Sequence, residues 1–98
     1  MLFAFIYTAK DMTEEQEKRS LQLFANWKPP AGFELKAHYA FADGSSGVGV
    51  AEVNSAATLL EAHEPWVTFF NYKTVPVVEI TESVPIAQKV LRWRDSVR

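Results

Sequence analysis

The sequence predicts an α+β domain in which one four-stranded antiparallel sheet is built in the order βαββαβ. Two main helices lie on one face of the sheet, and a further helix follows at the C-terminal end. Three observations predict this. Short runs rich in Phe, Ile, Tyr and Val alternate with segments of helical spacing. An Asp43-Gly44 turn joins the second strand to the third as a hairpin. Ninety-eight residues, 48% hydrophobic and 22% charged, make one domain with one modest core, spanning residues 1–98.

The first strand is residues 2–8, LFAFIYT. Leu2, Ala4 and Ile6 point to one side, and Phe3, Phe5 and Tyr7 to the other. The first helix opens at Thr13, with Gln16 three residues on in capping-box spacing. Glu14–Lys18 and Glu15–Arg19 make a solvated face, and Leu21, Leu23, Phe24 and Trp27 supply the apolar stripe. Pro29-Pro30-Ala31-Gly32 ends it.

Residues 33–41, FELKAHYAF, alternate, with Phe33, Leu35, Ala37, Tyr39 and Phe41 on one face. GVGVAEV, residues 47–53, returns as the third strand. A five-residue connection, Ala42 to Ser46, sets Phe41 opposite Gly47, Tyr39 opposite Gly49 and Ala37 opposite Ala51. Lys36 then faces Glu52, and His38 faces Val50, on the side away from the helices. A four-residue connection would shift these partners by one step and turn the strand over.

Asn54 or Ser55 caps the second helix, which Pro65 interrupts near Glu64. Residues 70–80, FNYKTVPVVEI, read as the fourth strand, and Pro76 within it requires an edge position or a bulge. Ser83 caps the last helix, with Pro85 in its first turn and Ile86, Ala87, Val90, Leu91, Trp93 and Val97 as its apolar side. This order is the ferredoxin-like pattern, and right-handed crossovers put both main helices on one face. The first strand is then central. Its two apolar sides call for cover on both, partly from the last helix and more fully from a second copy of the chain.

Charge and composition narrow the function. A net charge of −2 gives no basic field for nucleic acid or anionic lipid, and GVGVAEV carries no ring to stack a base. The basic residues of the last helix suit its own C-terminal dipole. Without cysteine there is no thiolate chemistry, and a cytoplasmic setting is expected. The apolar start lacks a basic region and is too short for a signal peptide, and no run approaches a membrane span. GSSGVG joins strand to strand, so it is a turn and not a phosphate loop.

His38 is the best candidate for chemistry, since a histidine on a sheet face beside Lys36 and Glu52 can act as base, hydrogen-bond donor or haem ligand. His63 reads as a boundary residue that hydrogen-bonds near the Pro65 break. No close pair at ligand spacing calls for a metal, and no cofactor is implied. A ligand site on the open face would draw on Tyr7, Lys36, His38, Glu52, Asn71 and Lys73 against apolar walls. Three readings follow, the first two being a homodimeric module that binds a small apolar molecule and an enzyme in which His38 moves a proton. In the second, Tyr7 or Tyr39 donates a hydrogen bond, and Lys36, Lys73 and Asn71 orient an anion. A purely structural interaction domain is the third.

The start MLF, W-x-P-P-x-G from Trp27 to Gly32, ADG-x-x-G, Pro65-Trp66 and V-P-V from Val75 to Val77 occur in that order. In this the chain resembles the family called domain of unknown function 3303, as far as about residue 80. It is similar more broadly to the dimeric α/β-barrel superfamily. The resemblance implies a ferredoxin-like subunit that pairs sheet to sheet with its twin. It implies no single reaction. The superfamily includes cofactor-free monooxygenases, haem-degrading enzymes, isomerases and proteins without established chemistry.

Overall fold

The computed structural model covers residues 1–98 and runs β1 (Leu2–Ala9), α1 (Glu14–Ala25), β2 (Phe33–Ala40), β3 (Ser46–Val53), α2 (Ala56–His63), β4 (Phe70–Pro76) and α3 (Ile80–Ser96). The four strands form one antiparallel sheet in the order β2-β3-β1-β4, the ferredoxin-like arrangement. β1 and β3 are central, and Pro76 ends an edge strand, where a missing amide costs no ladder bond on the outer side.

Local chemistry starts and stops the helices. Thr13 and Gln16 make the capping box reciprocally: the Gln16 amide donates to Thr13 Oγ1, and the Thr13 amide donates to Gln16 Oε1. Ser55 caps α2 by accepting from the Thr58 amide at 3.1 Å. α2 ends at His63, ahead of Pro65, and a tight turn buries Trp66 and Phe69. The core is Phe5, Phe33, Ala51, Val53 and Ala62, with Leu35, Leu59 and Tyr72 packed on its margin. Both α1 and α2 lie on this side of the sheet, facing Phe5 and Tyr7.

The hairpin register differs from the expected one. A bulge at Lys36 separates Leu35, opposite Ala51, from Ala37, opposite Val50. His38 therefore stands opposite Gly49 and Ala40 opposite Gly47, while Tyr39 turns to the outer face and is 68% exposed. Lys36 is the bulged residue and is not paired with Glu52, which Glu34 faces. The physical reason is a conflict over space. Side chains built on Gly47 and Gly49 would collide with the rings of Tyr7 and Phe5, which already fill the room above those glycines. Large rings do lie over small residues, but they come from β1, and the smaller His38 and Ala40 take the places expected for Tyr39 and Phe41. One extra residue reverses the alternation.

The C-terminal part also departs from expectation. β4 ends at Pro76, and the Val77 amide donates to Leu2 O as the last bond of that ladder. β1 begins there, so residues 78–80 have no strand to pair with and the chain turns into α3 three residues before Ser83. Glu79 precedes α3 without a side-chain cap, and Ser83 Oγ instead donates to the Ile80 carbonyl. Pro85 stands inside the helix, where it leaves the Thr81 carbonyl without its usual donor. No α3 residue is buried, and beyond its first turn α3 packs on no other strand or helix. The side of the sheet carrying Leu2, Ala4, Ile6, Val48 and Val50 thus receives no helix from its own chain beyond the start of α3, which borders Leu2 and Val50. No helix is long and apolar enough to cross a membrane.

A candidate ligand site between the sheet and its helices

Phe5 and Tyr7 are neighbours on one face of β1, and their rings stack at 6.3 Å, tilted 28°. β4 sets Tyr72 directly opposite Tyr7, and the bulge in β2 brings His38 over the same surface. From above, α1 contributes Ser20, Leu21 and Phe24, while α2 contributes Ala62 and His63. Trp27 and Trp66 close one end edge to face, with centroids 5.7 Å apart. α1 does not press down on the sheet: Leu21 is 64% exposed and Phe24 51%, although both face inward. The gap is a cleft of about 420 Å³, within the size range of small-molecule sites.

Two histidines flank the Phe5 ring, His38 at 6.4 Å and His63 at 5.5 Å between centroids. His38 stands at the mouth, with Nε2 2.7 Å from the Tyr7 hydroxyl. Burial holds the His38 imidazole below its ordinary pKa and pushes the Tyr7 phenol above its own. At neutral pH the pair is therefore a phenol and a neutral imidazole. When Nε2 is the bare nitrogen, the phenol donates to it. His63 lies deeper, its Nε2 2.9 Å from Thr74 Oγ1 and its ring stacked on Tyr72 at 4.2 Å. Burial lowers its pKa as well. The Tyr72 phenol is raised, first by burial and then by the neighbouring Tyr7.

The six residues expected to share a site are divided by the sheet. Tyr7 and His38 line the cleft under the helices. Lys36 and Glu52 lie on the opposite face, in a more polar hollow beside the start of α3 that also includes Leu2, Val50 and Glu82. Lys36 there donates to Glu34 at 3.1 Å, and Glu52 accepts from the Met1 amino group at 2.6 Å. Asn71 and Lys73 are exposed on that same face and line neither hollow. No group of three or more His, Asp or Glu side chains is arranged to hold a metal ion.

The cleft also holds residues that the sequence did not assign to a site: Phe5, Phe24, Trp27, Trp66, Tyr72, and His63 as a lining group. The available signal was the pair of glycines in GVGVAEV. Paired against β1, they mark where rings must lie flat on the sheet.

No curated protein matches the chain significantly. The family model described as domain of unknown function (DUF3303) matches residues 1–91, which is nearly all of the sequence. On that match, the chain belongs to the DUF3303 family.

Proposed function

We propose that the chain is a binding module for a small, flat, uncharged molecule that lies in the aromatic cleft between the sheet and α1. One observation carries this reading: none of the nineteen residues lining the cleft is Lys, Arg, Asp or Glu. A buried charge without a partner is costly, so such a site rejects ions, whereas rings of Phe, Trp and Tyr favour a planar apolar body. The Tyr7–His38 pair supplies one polar anchor at the mouth, able both to donate and to accept.

The test is calorimetric titration with 2-naphthol and 2-naphthoate, which share a ring system and differ in charge at pH 7.5. The expected result is binding of the naphthol at least about tenfold tighter than the carboxylate, since 1.4 kcal/mol of unpaired-charge cost is a factor of ten. Equal affinity for the two, or no heat from either, would overturn the reading.

A second reading draws on the Tyr7–His38 pair itself. A neutral imidazole beside a phenol can take a proton from an acidic hydroxyl or carbon of a bound substrate, as a cofactor-free oxygenase or isomerase requires. His38→Ala would then abolish turnover while naphthol binding persisted. The ferredoxin-like topology and the apolar outer face of the sheet further support placing the chain among the dimeric α/β-barrel proteins, paired through that face.

A further inference from the structure

We infer that two copies of the chain exchange their C-terminal helices, each α3 lying against the uncovered sheet face of the other copy. The inference rests on the outer sheet face being the dimer face, as just proposed, and makes the partner's α3 the element that covers it.

The molecule is too extended to be a finished monomer. A folded chain of 11.1 kDa exposes about 5,650 Å², but this one exposes 7494 Å². Its radius of gyration is 17.7 Å against about 12.6 Å for a compact domain of this length, and its long axis reaches 62 Å. The excess, about 1,800 Å², is more than the roughly 800 Å² per partner of a stable interface.

Both halves of an interface are present in one chain. α3 carries two apolar lines: Ile80, Val84 and Leu91 along one, and Ile86, Val90 and Trp93 along a second, about a third of a turn away. These six side chains are between 47% and 76% exposed. A 17-residue helix that lacks a ladder bond at Pro85 and packs on nothing beyond its first turn is marginal in water, so something must hold it. The sheet offers Ile6 and Val75, 40% and 42% exposed, with Val48 and Val50 beside them.

Charge permits the same match. Residues 80–98 carry Lys89, Arg92, Arg94 and Arg98 against Glu82 and Asp95, so the chain's net −2 divides into +2 there and −4 on the rest. The outer face itself carries Lys36 and Lys73 against Glu34 and Glu52, so it sets no like-charge barrier to the helix. The chain's own sheet is the poorer target, because only Val77, Val78 and Glu79 separate β4 from α3, and the helix leads away from the body.

The chain lacks cysteine, which makes a direct test clean. Single variants Ile6→Cys and Val75→Cys are each mixed with Val90→Cys or Leu91→Cys chains under mild oxidation. Exchange is supported by a disulfide joining a sheet variant to a helix variant at twice the 11.1 kDa chain mass. It is also supported when Leu91→Glu with Trp93→Glu halves the mass seen by light scattering, while far-ultraviolet dichroism shows the sheet intact. A wild-type monomer at tens of micromolar overturns both the pairing and the exchange. A dimer that forms no sheet-to-helix disulfide overturns the exchange alone, as does a link at monomer mass in Ile6→Cys/Val90→Cys chains.

Discussion

The ring of Phe5 fills the space that a side chain at Gly49 would need, and the two residues are direct partners across the β1–β3 ladder. Phe5 is 7% exposed and belongs to the core, so its ring has nowhere to go. Gly49→Ala should therefore destabilise the fold by about 1–3 kcal/mol, the usual cost of forcing extra volume into a packed site. For a domain of this size each kcal/mol lowers the melting temperature by about 4–8 °C. Gly47→Ala meets the Tyr7 ring in the same way, but at the cleft mouth. There the expected loss is of naphthol affinity as well as stability, read by calorimetry alongside urea unfolding.

The two histidines and two of the tyrosines set a window of pH for stability. Burial depresses the folded pKa of His38 and His63 below the ordinary 6.5. Between the folded and unfolded values the unfolded chain binds more protons, so stability falls as pH drops below about 6.5. Tyr7 and Tyr72 are raised above 10.0, so at higher pH the unfolded chain sheds protons that the folded one keeps. Stability then falls again above about pH 10. Urea midpoints measured across this range should show a plateau bounded by both losses. His63→Gln, which can keep a hydrogen bond to Thr74, should flatten the acid limb. An unchanged acid limb in that variant would show that His63 is not what titrates.

Phe24 separates binding from stability. Its ring stands 6.1 Å from His38 and 6.0 Å from Trp66, yet half of it is open to water. Removing it leaves little new cavity, so Phe24→Ala should cost well under the roughly 3–5 kcal/mol of a buried phenylalanine. Phe33→Ala, at 8% exposure, should approach that full cost. Naphthol affinity should show the reverse, with Phe24→Ala losing several-fold or more because it forms the roof. Equal melting temperatures for the two variants would contradict the placement of α1.

How far the sequence could be read shows in which interactions were local. Thr13 and Gln16 are three residues apart, and the capping box forms as expected. Pro65 stops α2 and Pro76 marks an edge strand, because each proline acts on its own backbone. The order βαββαβ followed from such signals and is the order observed. The site depended on partners 31 to 44 residues apart. His38 meets Tyr7, and Phe5 meets Gly49, only once β1 lies between β3 and β4. The bulge at Lys36 has no mark in FELKAHYAF, whose alternation is regular. What forces it is a ring on another strand. One unpaired residue was enough to move His38 to the opposite face from Lys36 and Glu52.

Gly32, the last residue of the W-x-P-P-x-G connector, gives a sharper case than any strand glycine. Its φ is 90°, in the left-handed region that residues with a Cβ rarely adopt, and the Asn54 side chain occupies the place a Cβ would take. The Gly32 carbonyl also accepts from the Asn54 amide at 3.0 Å, which ties the entrance of β2 to the end of β3. Gly44 has a similar φ of 78° but open space around it. Gly44→Ala therefore carries backbone strain alone, about 1 kcal/mol, whereas Gly32→Ala adds a steric clash to the same strain. The expected order of unfolding midpoints is wild type, then Gly44→Ala, then Gly32→Ala. In an Asn54→Ala background the clash disappears, and the cost of Gly32→Ala should shrink towards that of Gly44→Ala. A double-mutant cycle in urea measures that coupling directly, and a value of zero would mean that Asn54 is not what keeps position 32 a glycine.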